Sequence, residues 1–213
     1  PSWSCIYSLP FIFLSLVLGI LTSPLWLAGM IAVKLYDGGP VIFKQERATI
    51  NGRRFEVYKL RTMKQNVRNY SAVKNDNRIT PPGKLLRRTR IDELPQLLNI
   101  LKGDMTFVGP RPEMISNIEK YTKELPEFEY RLRVKAGLTG YAQIAGKYNT
   151  TPKDKLVMDM MYIEQFSVWR DIQLILQTAG VLLKSDSAEE FDKRKRQSRY
   201  IFPDIDQKEK SNS

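Results

Sequence analysis

From Leu9 to Val33 the chain reads LPFIFLSLVLGILTSPLWLAGMIAV, 25 residues without a charge. One straight helix of that length reaches across a hydrocarbon layer of ~30 Å. The segment therefore restricts the chain to two kinds of fold, one built around a buried core helix and one attached to a membrane. The flanks favour attachment. No basic stretch precedes the block and no small-x-small cleavage site follows it, so it does not read as a secretory leader. Ser23-Pro24 lies inside it. A proline within a helix forfeits the bond to the carbonyl four residues back and crowds the preceding turn, so a break or kink is expected there. Two readings follow: a single kinked crossing, and a re-entrant helix-break-helix that dips into the bilayer and returns. Positive charge follows the block and none precedes it, which alone favours an outside N-terminus.

Charge narrows the partners. Between Lys34 and Arg90 there are fifteen Lys/Arg against four Asp/Glu, a net of +11 that equals the excess of the whole 213-residue chain. A basic segment directly after a membrane element faces an anionic leaflet or a polyanionic substrate. Nucleic acid is the other polyanion such a pattern admits. The chain has no histidine and one cysteine, Cys5. Imidazole acid–base chemistry, Ser-His-Asp triads, cysteine zinc clusters and internal disulfides are thereby excluded within it. A metal here would sit on carboxylates and be a hard ion such as Mg²⁺.

The remainder reads as a compact, mostly helical domain with one short β-hairpin. Val41-Ile42-Phe43 forms a strand, Asn51-Gly52 a hairpin turn, and RRFEVYKLRTM from Arg53 a second strand. Residues 64–80 are polar and read as a loop. Leu94, Leu97, Leu98 and Leu101 fall at helical spacing, with Gly103 as the C-cap. Residues 113–133, 153–166 and 169–184 read as helices, and GDMTFVGPRPEM and KAGLTGYAQIAGKYN as turn-rich connections. Boundaries are expected at 1–36 for the membrane element, 37–185 for the domain and 186–213 for a charged tail.

RTRIDELPQ, from Arg88 to Gln96, sets two acids among arginines. The plain reading makes Asp92 a helix cap, Glu93 a first-turn acid, and the arginines their ion-pair partners. Yet Arg87, Arg88 and Arg90 supply more cation than two carboxylates need. An anionic substrate resolves the surplus. Aspartate can attack phosphorus as a nucleophile, a neighbouring glutamate can hold Mg²⁺ against phosphate charge, and arginines match phosphate oxygens in pairs. GPRP at 109–112 fixes the backbone on both sides of Arg111. YKLRTM puts Lys59 and Arg61 on one strand face, and Lys135 stands beside glycines in KAGLTG. For each of these last three, a rigid turn, a solvated face or loop structure is the bland alternative.

Taken together, six stretches resemble the monotopic polyprenyl-phosphate phosphoglycosyl transferases, bacterial sugar transferases that begin capsule, exopolysaccharide, O-antigen and glycoprotein glycan assembly. They are LTSP from Leu21, GGPVIFKQER from Gly38, GRRFEVYKLRTM from Gly52, IDELPQLLNILKGDMTFVGPRP from Ile91, GLTGYAQIAGKYN from Gly137, and DMMYIEQFSVWRDIQLILQT downstream. The resemblance covers about residues 16 to 183. It implies a ping-pong reaction in which Asp92 takes the sugar phosphate from a UDP-sugar, releases UMP, and passes the group to undecaprenyl phosphate. Glu93 matches the family's Mg²⁺ ligand, with Mn²⁺ as a substitute, and Lys59, Arg87 and Arg111 match its phosphate-facing cations. Arg61, Arg88, Lys135 and Lys147 join them as candidate phosphate contacts. The resemblance also implies re-entrance at Ser23-Pro24 and a catalytic domain on the cytoplasmic face of the bacterial inner membrane. The partners implied are UDP-sugar, undecaprenyl phosphate and a phospholipid bilayer, without nucleic acid; a homodimer stays open.

Five departures stand out. The family's charged cluster before the apolar block is missing, Ser-Leu before the acid pair is Arg90-Ile91, a Pro and a Trp are Ala136 and Tyr141, and an Arg is Lys147, which lacks bidentate geometry. The chain begins at Pro1 without a methionine, as a piece of a longer protein does. Two rivals remain at this level: a non-catalytic basic membrane-surface module, and direct transfer through a ternary complex. The sugar and its pathway are not legible.

Overall fold

The computed structural model describes the backbone of residues 3–65, 76–145 and 150–184, and side chains within 10–65, 76–145 and 150–181. The apolar block forms one helix, α1 (Trp3–Asp37), with Pro10 and Pro24 inside it. The expected break at Ser23-Pro24 is replaced by continuous helix, for a local reason. Pro24 has no N–H for the Ile20 carbonyl, and the Ser23 hydroxyl donates to that carbonyl instead, at 2.7 Å. Among the described residues one helix, not a pair, is long and apolar enough to cross a membrane, with mean hydropathy 2.1.

α1 packs by a stripe at helical spacing. Phe11, Leu14 and Leu18 lie on the main core, while Trp26, Met30 and Val33 lie on a smaller one. Ser15, fully buried, donates to the Leu97 carbonyl at 2.8 Å. At Gly29 a Cβ would come within 2.7 Å of the Leu60 side chain, so a small residue is needed for close approach. The opposite face is apolar and open: Phe13 is 68% exposed, Leu21 69% and Leu35 82%.

Beyond α1, strands β1 (Ile42–Ala48) and β2 (Arg54–Leu60) form an antiparallel hairpin in which Ile42 faces Leu60 and Ala48 faces Arg54. Its turn places Asn51 and Gly52 at φ 56° and 71°, the left-handed region that this pair tolerates best. Then come α2 (Pro81–Arg88), a 3-10 turn (Ile91–Glu93), α3 (Gln96–Leu101), β3 (Met105–Val108), α4 (Ile115–Glu124), a 3-10 segment (Pro126–Arg133), β4 (Ala136–Thr139), α5 (Tyr141–Ala145), α6 (Pro152–Glu164) and α7 (Val168–Lys184). The chain divides at Thr178: the residues up to it form one unit and a second begins at Ala179.

Three local outcomes differ from the sequence reading. α2 was hidden inside a basic stretch, yet it is well capped: Thr80 Oγ1 accepts from Gly83 N at 3.1 Å and Pro81 occupies the first turn. The helix expected over 113–133 stops at Glu124, because Leu125 precedes Pro126 and is driven to φ −142°. The two segments read as turns contain β3 and β4, a parallel pair with Met105 facing Ala136 and Val108 facing Thr139. A Cβ on Gly109 or Gly137 would collide with the other segment's backbone, so these glycines serve contact between the two strands' ends.

The core joins hairpin, α3, parallel pair and the last two helices through Phe55, Val57, Leu97, Ile100, Phe107, Tyr162 and Leu174. Two polar ties set the register of the parts. Asn99, fully buried on α3, accepts from Tyr58 N at 3.0 Å and donates to the Glu56 carbonyl at 2.7 Å, so α3 docks along the free edge of β2. Arg131 is buried against Asp159 of α6 and donates to the Arg111 carbonyl at 2.9 Å.

Candidate active site

The acid pair sits where these elements converge. Arg90 adopts φ 59° and ψ 12°, a left-handed conformation uncommon for a residue other than glycine, and turns the backbone sharply into the 3-10 turn. Asp92 therefore points inward instead of capping α3. It is 7% exposed, and its Oδ1 has no hydrogen-bond partner among the described residues. Glu93 is gripped. Its Oε1 accepts from Lys59 Nζ at 2.8 Å and from Arg111 Nη2 at 2.7 Å, while Oε2 lies 4.0 Å from Arg90 Nη1.

The two carboxylates titrate apart. Burial pushes Asp92 up to about 6, and the neighbouring Glu93 charge adds to it, against the pull of Lys59, Arg87 and Arg90. Burial would also raise Glu93, but Arg111 and Lys59 outweigh it and hold this carboxyl well below its ordinary value. Lys59 is lowered, chiefly by burial, with Glu93 opposing. Arg111 is raised, chiefly by Glu93. One acid is thus a fixed anion within a cationic cage, and the other is a buried carboxylate with an unspent oxygen. Such divergence of two neighbouring acids marks separate chemical roles.

The remaining candidates are placed as follows. Arg87, on α2, gives its Nε to Thr62 Oγ1 at 2.8 Å and lies close enough to lower the Asp92 carboxyl. Arg61 is engaged elsewhere: it donates to both carboxylate oxygens of Asp37, to the Pro40 carbonyl at 2.6 Å and to the Met63 carbonyl at 3.3 Å. It locks the end of α1 to β2. Arg88 is exposed on α2. Lys135 Nζ lies 4.0 Å from the Cβ position of Gly103, at the far end of α3 from the acids. Lys147 lies outside the described residues.

Three residues escaped the sequence reading. Arg47 on β1 and Gln96 at the start of α3 share a small pocket with Lys59 and Arg111, and Asn99 fixes α3 against β2. Gln96 and Asn99 carry a signal: two amides within an otherwise apolar helical stripe are costly unless they bond something.

For Mg²⁺, the donor set is suitable in kind. Glu93 Oε2 is a hard oxygen whose nearest cation is Arg90 Nη1 at 4.0 Å, and Mg²⁺ commonly takes one or two carboxylates and completes its shell with substrate phosphate and water. Among the described residues no group of three or more acids, histidines or cysteines forms an all-protein cage.

Residues 7–185 match the family described as bacterial sugar transferase. The chain belongs to that family. It is 39% identical over 180 residues to a UDP-glucose:undecaprenyl-phosphate glucose-1-phosphate transferase of Caulobacter vibrioides, a match covering 81% of this chain and 67% of the relative. It is 40% identical over 169 residues to a UDP-N-acetylgalactosamine-undecaprenyl-phosphate N-acetylgalactosaminephosphotransferase of Aeromonas hydrophila, covering 76% and 40% respectively. A galactosyl transferase of Streptococcus agalactiae is 40% identical over 184 residues, covering 77% and 40%. The chain thus spans two thirds of the first relative and 40% of the other two.

The raised Asp92 carboxyl has a consequence for stability. A folded state that binds a proton more tightly than the unfolded chain is fully favoured below the unfolded value of 3.8, and loses that advantage as pH rises through about 6. Asp92→Asn removes the buried charge. It is expected to raise the thermal midpoint at pH 7.5, by the equivalent of roughly 1–3 kcal/mol, and to change it little at pH 4. A lower midpoint at pH 7.5 would contradict the burial argument.

Proposed function

We propose that this chain transfers a sugar 1-phosphate from a UDP-sugar to undecaprenyl phosphate through a covalent aspartyl intermediate, in the first membrane step of a bacterial glycan pathway. The observation that carries the reading is the buried, unpartnered oxygen of Asp92 beside a glutamate fixed by two cations. In the first step Asp92 Oδ1 attacks the phosphorus that bears the sugar. The bond to the bridging oxygen breaks, and its electron pair leaves with UMP. In the second step an oxygen of undecaprenyl phosphate attacks the same phosphorus and expels the Asp92 carboxylate. Lys59, Arg87 and Arg111 bind and orient the phosphates throughout. Mg²⁺ on Glu93 supplies charge screening for the phosphates when bound. The relatives' names carry three different sugars, so the sugar is not transferred to this chain from them.

The packing of α1 supports a monotopic placement on the cytoplasmic face. From Phe11 to Val33 one side of the helix lies on the domain, over about 33 Å at 1.5 Å per residue. That consumes the thickness of the hydrocarbon layer. A perpendicular crossing would drag β2 and α3, with their charges, into lipid. An α1 that lies in or dips into one leaflet instead gives its exposed apolar face to lipid and keeps both ends on one side. Re-entrance, with bending at Ser23-Pro24 in the bilayer, is the form of this placement that the family resemblance implies.

UMP release from a UDP-sugar by the purified chain tests the reaction. Release is expected without lipid acceptor, to vanish with EDTA, to return with Mg²⁺ or Mn²⁺, and to be lost in Asp92→Asn. A protein that releases none from any of a panel of UDP-sugars is a binding module. Topology is read separately from Cys5, the only thiol. In intact spheroplasts a membrane-impermeant maleimide should leave Cys5 unlabelled and should label it after permeabilisation; labelling from the periplasmic side would overturn the monotopic placement.

A further inference from the structure

Two buried donors beside the acid pair have no acceptor among the described residues. Gln96 is 2% exposed, and its Nε2 makes no hydrogen bond. Arg47 gives Nη1 to the Pro112 carbonyl at 3.2 Å and Nη2 to Gln45 Oε1, but its buried Nε makes none. Leaving such groups unpaired in the interior is costly. Both side chains line one small pocket, together with Val57, Lys59, Arg111 and Pro112. The polar side chains of this wall are three cations and one amide. Lys59 and Arg111 each bond Glu93 yet keep further N–H groups. No carboxylate lines the pocket. A wall of this kind suits a group with several acceptor oxygens and negative charge, and repels a metal ion.

We propose that Arg47, Gln96, Lys59 and Arg111 form an oxyanion subsite for a phosphate group other than the one Asp92 attacks. The proposal rests on the transfer reading above for the identity of its ligand, and on the four side chains for its existence. Asp92 does not line the pocket, so a phosphate seated there is held beside the reacting phosphorus. A UDP-sugar brings two phosphates and the acceptor brings one. The group bound is therefore a phosphate monoester, either that of the departing nucleotide or that of the lipid. Nε of Arg47 and Nε2 of Gln96 supply its fixed donors, and Lys59 and Arg111 supply its counter-charge. Arg47 is lowered chiefly by burial, with Glu113 and Glu93 opposing and Arg111 adding to it, and Arg111 likewise lowers Lys59. An anion relieves that repulsion.

The test uses the full chain in detergent and measures affinity by calorimetry for UMP and, separately, for undecaprenyl phosphate in micelles. Gln96→Met keeps the volume and removes the donor. Arg47→Lys keeps the charge and removes Nε, so it separates a directed hydrogen bond from a general positive field. Each variant is expected to weaken the ligand of this subsite about tenfold or more. Weakening of UMP assigns the site to the nucleotide; weakening of undecaprenyl phosphate with UMP unchanged assigns it to the acceptor. If both variants bind both ligands as the unmodified chain does, the proposal is overturned. Should Gln96→Met fail to fold, Arg47→Lys carries the same expectation at a less buried position. Binding is read without turnover, so absent UMP release with intact, variant-sensitive binding would remove the transfer reading and leave the subsite standing.

Discussion

The Glu93 carboxylate ties together the parts from which the site is made. It takes a proton-donating contact from Lys59 on β2 and another from Arg111 in the turn after β3, and it stands one residue from Asp92. An ion buried this deeply is tolerable only when its charge and lone pairs are met. Those contacts therefore oblige the hairpin, the 3-10 turn and the Gly109–Pro112 turn to come together. The second layer makes this rigid. Asn99 registers α3 on the edge of β2, and Arg131, paired with Asp159 of α6, holds the Arg111 backbone. The result is two adjacent acids with unequal surroundings. Glu93 Oε1 is met by two cations, while Asp92 Oδ1 has no hydrogen-bond partner among the described residues.

α1 belongs to the same construction and is more than an anchor. Its packed face completes both cores, with Ser15 spending its hydroxyl on Leu97 and Gly29 admitting Leu60. Arg61, bound to Asp37, closes the junction between the helix and the strand that carries Lys59. The exposed apolar face of α1 and the cations around Glu93 are in this way fixed to each other through a few bonds. For a reaction between a water-soluble sugar nucleotide and a lipid phosphate, that coupling is what the chemistry needs.

Much of this was legible in the chain. The uncharged block, the Asn51-Gly52 turn and the leucine spacing after the acid pair each announce their element through strong local physics. The acid pair and its cations stood out because charge was concentrated where charge is expensive. What stayed hidden depended on contacts distant in sequence. A uniformly apolar helix gives no periodic signal for which face packs, although Ser15 and Gly29 mark it. Pro24 announced a break, yet the helix runs on across it, with the Ser23 hydroxyl on the carbonyl that the missing N–H leaves free. Arg61 and Lys59 looked equivalent on one strand, yet Asp37 claims the first and Glu93 the second. Gln96 hinted at a buried partner, but its shared pocket with Arg47, and the donor each leaves unpaired among the described residues, appeared only in the fold.

The central claim is that Asp92 forms a bond to the transferred phosphate, and direct observation of that bond tests it. The chain is incubated with its UDP-sugar and no lipid, quenched in acid, digested and analysed by mass spectrometry. The account predicts a phospho-sugar on the peptide containing Asp92, which disappears when undecaprenyl phosphate is added before quenching. An unmodified peptide from enzyme that transfers sugar phosphate at full rate once acceptor is present would contradict it, and would assign the transfer to a ternary complex.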